Sequence, residues 1–426
     1  MSTRQGGGAG IFSALHNRNY RKYFTAQVVS LIGSWMQLIA LPWLVYDRTR
    51  SGTALGLIVA VESLPVLVLS PYGGLVVDRT DKRRLLMATQ GVQGACALVL
   101  GALTVTGTVK IWTIVAIALV SGVASAFDSP ARQAIVLELV GKSELRNAVS
   151  LNSITINIAR AVGPALAAGV IAALGIGECF LVNSASFAVV IVALARLDRA
   201  AMSPSTRQRR QAGQLRSGLA YVAGNPELRT PLLMMALIGT IAYEYPVSLA
   251  ILARQSFHGG ASTYSLLTSG LGAGAVLGGL WVASRGRTGL RACAIATGEY
   301  AVMTLAVAFA PNVPVAVVAL FASGLGYIAF NSMGNATLQL ASEPEMRGRV
   351  MGLWSVSFQG STLVGSPIIG FVGEHAGARW PLVLAGASAL AASGVAITTI
   401  VAQRSASARP WAEPGSSALA EEAGAA

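Results

Sequence analysis

The sequence predicts an all-α membrane protein of twelve transmembrane helices, arranged as two six-helix bundles of equal topology. Three observations carry that reading. Of 426 residues, 54% are hydrophobic and 12% charged, with a mean hydropathy of +0.61, whereas a soluble domain carries about 25% charge. Twelve apolar segments are each about 20 residues long, enough to span a hydrocarbon core of about 30 Å. The second six segments repeat short stretches of the first six at nearly constant spacing.

In order, the predicted spans are 23–46, 53–77, 85–106, 111–137, 147–173, 177–195, 229–254, 262–284, 290–310, 313–341, 347–373 and 379–402. The first run is too long for the core of a signal peptide and reads as a helix. Abundant Gly (47 residues) and Ala let helix backbones approach closely where lipid competes for apolar side chains. The fourth, seventh and tenth spans carry the most polar residues and are expected to face an aqueous cavity. Residues 1–22 form a cytoplasmic tail, 23–196 the first bundle, 197–228 a cytoplasmic linker, 229–403 the second bundle and 404–426 a cytoplasmic tail. Within the linker, RQRRQAGQLRSGLAYV reads either as an amphipathic helix on the inner leaflet or as a flexible basic segment.

Lys and Arg set the orientation. With the N-terminus inside, cytoplasmic segments hold 24 of the 31 basic residues. Five fall outside (Arg48, Arg50, Lys110, Arg254, Arg379), and Arg132 and Arg160 fall within spans. The positive-inside rule then puts both termini in the cytoplasm and the chain in the cell inner membrane. The net charge of +13 is scattered between apolar runs and forms no continuous stripe, which argues against nucleic acid as a partner. Cys96, Cys179 and Cys293 sit in or beside apolar runs at no metal-ligand spacing and read as small core residues.

Four pairs of stretches repeat. Gly73-Gly74 recurs as Gly278-Gly279, AFDSPARQ (126–133) as AFNSMGNA (329–336), ELRNAVSLN (144–152) as EMRGRVMGL (345–353), and VGPALAAG (162–169) as VGSPIIGF (364–371). The offsets are 205, 203, 201 and 202 residues. Parallel repeats of this kind place a substrate path between the bundles at mid-membrane.

The stretch Tyr72 to Arg84, YGGLVVDRTDKRR, joins the second and third spans. Six of the seven residues from Asp78 to Arg84 are charged, so the turn lies at a membrane surface. It resembles the signature G-x-x-x-D-R/K-x-G-R/K-R/K of the major facilitator superfamily, with Gly74, Asp78, Arg79, Lys82 and Arg83 in place and Asp81 where Gly is usual. Asp is one of the few residues that tolerate a tight turn there. The second-half copy keeps Arg285 and Arg287 but has Ala283 for the acid. The resemblance covers essentially the whole chain. It implies a gate motif that locks the halves together at the cytoplasmic face when the cavity opens outward, with Asp78 at the N-terminus of the eleventh helix, where the dipole favours an anion. VGPALAAG in the fifth span is similar to the superfamily's exporter signature, matching at Gly163 and Pro164, and favours export. HNRNYRKYFTAQVVSLIGSWM (16–36), LPWLVYDRTRSGTALG (41–56) and AFDSPARQA (126–134) resemble a subgroup of bacterial exporters that includes enterobactin and macrolide efflux proteins.

Charges inside spans are functional candidates by default, because an unpaired ion there costs about 2.5–3.5 kcal/mol even on insertion scales. Glu62 (VAVESLP), Asp128, Glu244 (AYEYPV) and Glu299 are the intramembrane acids. Glu62, Glu244 and Asp128 are candidates for proton coupling, the first two favoured. Asp128 and Arg132, at i and i+4, share a helix face and can pair, so Asp128 reads also as a gate or structural ion pair. Arg160 either joins that pair or binds an anionic substrate. Glu299 lies on a span that is peripheral by resemblance. Gln37, Trp43, Asn157, Tyr243, Tyr245, Asn331, Asn335 and Gln359 supply the hydrogen bonds and aromatic faces of a cavity suited to bulky amphipathic molecules.

No P-loop, no G-x-S-x-G and no His cluster occurs in the sequence, so enzyme and ATP-driven readings are set aside. The expected function is proton-coupled efflux of a drug-like or siderophore-like small molecule by alternating access, by a monomer with no cofactor or metal beyond the proton gradient. The alternatives are an importer or facilitator of a metabolite or lysolipid with the same fold, and a transport-inactive scaffold.

Overall fold

The computed structural model describes residues 12–202 and 214–407. Twelve long helices run through them: α1 (Arg18–Thr49), α2 (Gly52–Arg79), α3 (Lys82–Val105), α4 (Ile111–Gly141), α5 (Ser143–Ala173), α6 (Ile176–Ala195), then α8 (Pro226–Ser256), α9 (Ala261–Arg285), α10 (Leu290–Ala308), α11 (Val313–Ala341), α12 (Pro344–His375) and α13 (Trp380–Ser407). A shorter helix, α7 (Gln214–Ala223), precedes the second set. Among the described residues there is no β-strand. Each predicted span corresponds to one long helix, with the spans 85–106, 290–310 and 379–402 overrunning an end by one or two residues.

The ends are written locally. Asn17 caps α1 by accepting from the Tyr20 amide, Ser51 caps α2 from Ala54 and Asn312 caps α11 from Val315. Pro226 and Pro344 each occupy the first position of a helix, where no amide partner is needed. Gly141, at φ +71°, separates α4 from α5, and Gly286, at φ +58°, closes α9. Asp81 departs from expectation. Its backbone is extended (φ −65°, ψ 110°) and its side chain accepts from the Arg84 amide, so it is the N-cap of α3. A residue was needed there to start a helix, not to tolerate a left-handed turn.

In the connecting segment, α7 packs on the start of α12, and the Tyr221 hydroxyl accepts from the Glu343 amide at 3.2 Å. The linker's helical part therefore belongs to the second bundle. Cys96, Cys179 and Cys293 are buried and unpaired in disulfides.

The two sets of helices meet most closely between α2 and α12. A methyl group on Gly56 would collide with the carbonyl oxygen of Ser366, and one on Gly370 with that of Gly52. Backbone-to-backbone approach of this sort tolerates only small residues. These contacts lie toward the end opposite the chain termini, where Gly52 begins α2. Gly56→Leu is expected to leave each bundle folded but to keep these ends apart. Maleimide labelling of a cysteine placed at Thr53 should then rise several-fold over the same reporter in the parent chain.

Candidate functional site

The site is built around a break in α8. Regular helix stops at Leu237, a π-turn runs over Ile238–Ala242, and helix resumes at Tyr245, followed at once by Pro246. A proline there cannot donate to the preceding turn, so carbonyls are released inside an apolar span and must find partners. Tyrosines supply them: Tyr300 of α10 donates to the Ala242 carbonyl at 2.7 Å, and Tyr264 of α9 to that of Pro246 at 3.3 Å. The Tyr243 hydroxyl donates to the Tyr327 carbonyl at 3.2 Å, and the two rings lie 4.3 Å apart. Tyr245 is tied to Ser323 (2.8 Å) and Thr304 (3.2 Å).

Glu244 sits at the break and is only 2% exposed. One carboxyl oxygen accepts from the Ser366 hydroxyl of α12, while the other, Oε1, is buried with no partner. Ser366 is also the residue whose carbonyl meets Gly56 of the first half. A titratable group thus sits directly behind the contact between the halves.

Glu62 lies on α2 in a cavity of about 180 Å³, shared with Gln37, Gln93, Ser121, Ser125 and Asn183. Asn183 donates to Gln37 at 2.7 Å and Gln93 to Ser125 at 3.3 Å. Among the described residues, no hydrogen bond or ion pair engages the Glu62 carboxyl.

Asp128 is different. It is fully buried, ion-paired to Arg132, and accepts from Thr89 (2.9 Å) and Gln90 (2.8 Å). Arg160 takes no part in that cluster. Its guanidinium lies 5.2 Å from the ring of Trp35, and Nη1 is buried without a hydrogen-bond partner. It borders a cavity of about 160 Å³ with Pro164 from the first half and Tyr243, Tyr245, Tyr264 and Tyr327 from the second. Gly163 lets α5 close on α1, since a methyl there would strike Trp35.

Several expected cavity residues are elsewhere. Trp43 stacks on Tyr264 at 5.9 Å near the far end, and Asn335 pairs with Gln339 at 2.6 Å, outside the cavities just described. Asn331 and Gln359 line neither of them, and the side chain of Asn157 lies outside the described residues. Glu299 borders a separate apolar cavity within the second half, against Gly326.

The charged turn is organised within the first half. Lys82 bonds Glu138 of α4 at 2.8 Å, and Arg83 donates to the carbonyls of Leu194 and, at 2.7 Å, Ala195. Asp78 is half-buried and Arg79 exposed. Among the described residues, no hydrogen bond or ion pair of this turn reaches α12.

At the opposite face the halves are joined. Gln255 donates to the Tyr46 hydroxyl at 2.9 Å, and Glu374 accepts from the Ser51 hydroxyl (2.7 Å) and the Thr53 amide (2.9 Å). Sequence reasoning missed this clasp, although Ser51, Gly52 and Thr53 have the form of a helix N-terminus and so offered a seat for an anion.

A family model described as transmembrane secretion effector matches residues 9–425. The chain belongs to this family of the major facilitator superfamily. Among curated relatives, it is 28% identical over 246 residues to the staphyloferrin A transporter of Staphylococcus aureus, which covers 57% of this chain and 62% of that one. It is 26% identical over 361 residues to the multidrug efflux pump Tap of Mycolicibacterium fortuitum, covering 81% and 87%. Macrolide efflux protein A of Streptococcus pyogenes is 22% identical, covering 78% and 84%. The fold matches the nucleoside transporter NupG with a TM-score of 0.72 at 12% identity, over 90% of this chain and 99% of that one. A bacterial homologue of ferroportin in an inward-facing state matches with a TM-score of 0.69 at 15% identity, over 90% and 98%. These matches establish the two-bundle architecture of the family member.

The clasp carries a pH dependence. Hydrogen bonds from Thr53 and Ser51 hold the Glu374 carboxyl at about 2, below its usual 4.5. A depressed value stabilises the closed far face above the ordinary pKa and loses that stabilisation as pH falls from about 4.5 toward 2. Spin labels at Arg48→Cys and Ala376→Cys should separate across that window, and Glu374→Gln should remove the pH trend.

Proposed function

We propose that this family member is a secondary transporter that exports an amphipathic small molecule by alternating access, driven by the proton gradient. The observation that carries this reading is Glu244: a carboxyl with one unpartnered oxygen, at a helix break, behind the seam where α12 meets α2. A buried acid in that position changes the polarity of the seam when it gains or loses a proton. It can therefore bias whether the halves close there, as a coupling group must. Glu62, in its own polar pocket, is the second proton site.

The basic-residue asymmetry supports cytoplasmic termini in the inner membrane, where the chain acts as a monomer with no cofactor. Far-face closure by Glu374, Tyr46 and Gly56 then corresponds to a cavity facing inward. When the far face opens, the Tyr72–Arg84 turn latches the cytoplasmic ends, with Asp78 meeting the start of α12. The names of the relatives, transporters and pumps for a siderophore, macrolides and several drugs, support an amphipathic cargo.

Inside-out vesicles with an acidic lumen test this. They should accumulate a macrolide or lipophilic dye in exchange for protons. Glu244→Gln and Glu62→Gln should each flatten the pH profile, and Asp78→Asn should stop turnover. Asp128→Asn should act through stability, since it strands Arg132 at a cost of about 3–5 kcal/mol. Its melting temperature should fall while the pH profile of the surviving protein keeps its shape. An unchanged pH profile in the Glu62→Gln/Glu244→Gln double variant would sink the coupling assignment.

A further inference from the structure

Four other basic side chains in or beside the spans have partners. Arg132 is spent on Asp128, Lys82 on Glu138, Arg83 on two carbonyls, and Arg379 on the carbonyls of Ala308 and Ala310. Arg160 is the exception. Its guanidinium carbon lies over the Trp35 ring at 5.2 Å from the centroid, and Nη1 is buried and bonded to nothing. Among the described residues it forms no ion pair. The cavity it borders is walled by Tyr243, Tyr245, Tyr264 and Tyr327 and by Pro164, and no carboxylate lines it.

A guanidinium is a planar, rigid fork of donors, matched in spacing to the two oxygens of a carboxylate. The tyrosine rings beside it offer faces and edges to an apolar or aromatic body. At about 160 Å³ the cavity holds a head group and not a whole drug-sized ligand, for which about 300–1,000 Å³ is usual. The site also draws on both halves, α5 from one side and α8, α9 and α11 from the other, so its occupant touches both bundles at once.

We propose that Arg160 is the anion-binding residue of the substrate site, and that the cargo is an amphipathic organic acid whose carboxylate docks on the guanidinium and whose apolar body lies along the tyrosine wall. The identity of the site as the transport path rests on the export reading above; the preference for a carboxylate does not. Glu244 is held to Ser366 of α12 through one oxygen and does not line this cavity.

The test is binding to the purified full chain in a neutral detergent at pH 7.5, by calorimetry and Trp fluorescence, with three isosteric probes: 4-butylbenzoate, 4-butylbenzamide and 4-butylbenzylamine. The carboxylate should bind at least tenfold more tightly than the amide, and the amine most weakly. Arg160→Gln should bring the carboxylate down to the level of the amide without changing the amide. Arg160→Lys, which keeps the charge but not the fork, should retain part of the preference. Amine binding tighter than carboxylate binding in the parent chain overturns the proposal even if Arg160→Gln does not fold. So does an undiminished carboxylate preference in a folded Arg160→Gln. Proteoliposomes separate the two readings. Carboxylate preference without proton-driven movement of any probe would overturn export and leave the anion site standing. Proton-driven movement without that preference would do the reverse.

Discussion

Hydrocarbon offers no hydrogen bonds, and most of this molecule's internal chemistry answers that one constraint. A released backbone carbonyl or a bare charge inside a span must find a partner in the protein or be costly. The break in α8 frees the carbonyl of Ala242, to which the Tyr300 hydroxyl comes from a neighbouring helix, and the Tyr264 hydroxyl reaches the carbonyl of Pro246. Asp128 is ringed by Arg132, Thr89 and Gln90. Among the buried side-chain atoms left without a partner, two belong to a carboxyl and a guanidinium group: an oxygen of Glu244 and a nitrogen of Arg160. They lie on opposite halves, where a moving ligand or proton would have to be handled.

Packing supplies the second half of the design. The seam between α2 and α12 is backbone against backbone at Gly56 and Gly370, so it closes through van der Waals contact and one polar clasp at Glu374. Dispersion between close backbones is lost over a small separation. Such a seam is either shut or open, which suits a protein that must alternate. Tying Glu244 to Ser366, on the same stretch of α12, brings the titratable group and the closing surface onto one short element.

Much of the fold was legible because hydrophobic run length is a strong, local signal. The caps at Asn17, Ser51 and Asn312 are local too, although run length alone did not mark them and began the first span at residue 23. The site was legible in part. Glu244, Tyr243 and Tyr245 were visible as polar residues beside a proline in an apolar run. Asn335 and Gln359 looked equally polar yet line neither of the two cavities described, because helix phase decides which side a residue faces and polarity alone does not encode phase. The anion seat at Ser51–Thr53 was visible in the sequence, but not that Glu374 fills it, since the partners are more than 300 residues apart in the chain. The role of Asp81 was misread for a related reason: a cap and a tight turn favour the same residue.

The two copies of the charged turn are built differently. In the first half, Asp81 starts α3, Lys82 binds Glu138 and Arg83 fastens α6, so the basic residues of the turn are used to hold their own bundle together. In the second half the equivalent turn simply ends α9 with Gly286 in a left-handed cap and carries no acid at position 283. Ala283 is exposed, so the second-half turn leaves that position uncharged at the surface. The α2–α12 seam, by contrast, leaves no room for a larger residue at Gly56 or Gly370, where each backbone meets a carbonyl of the other half.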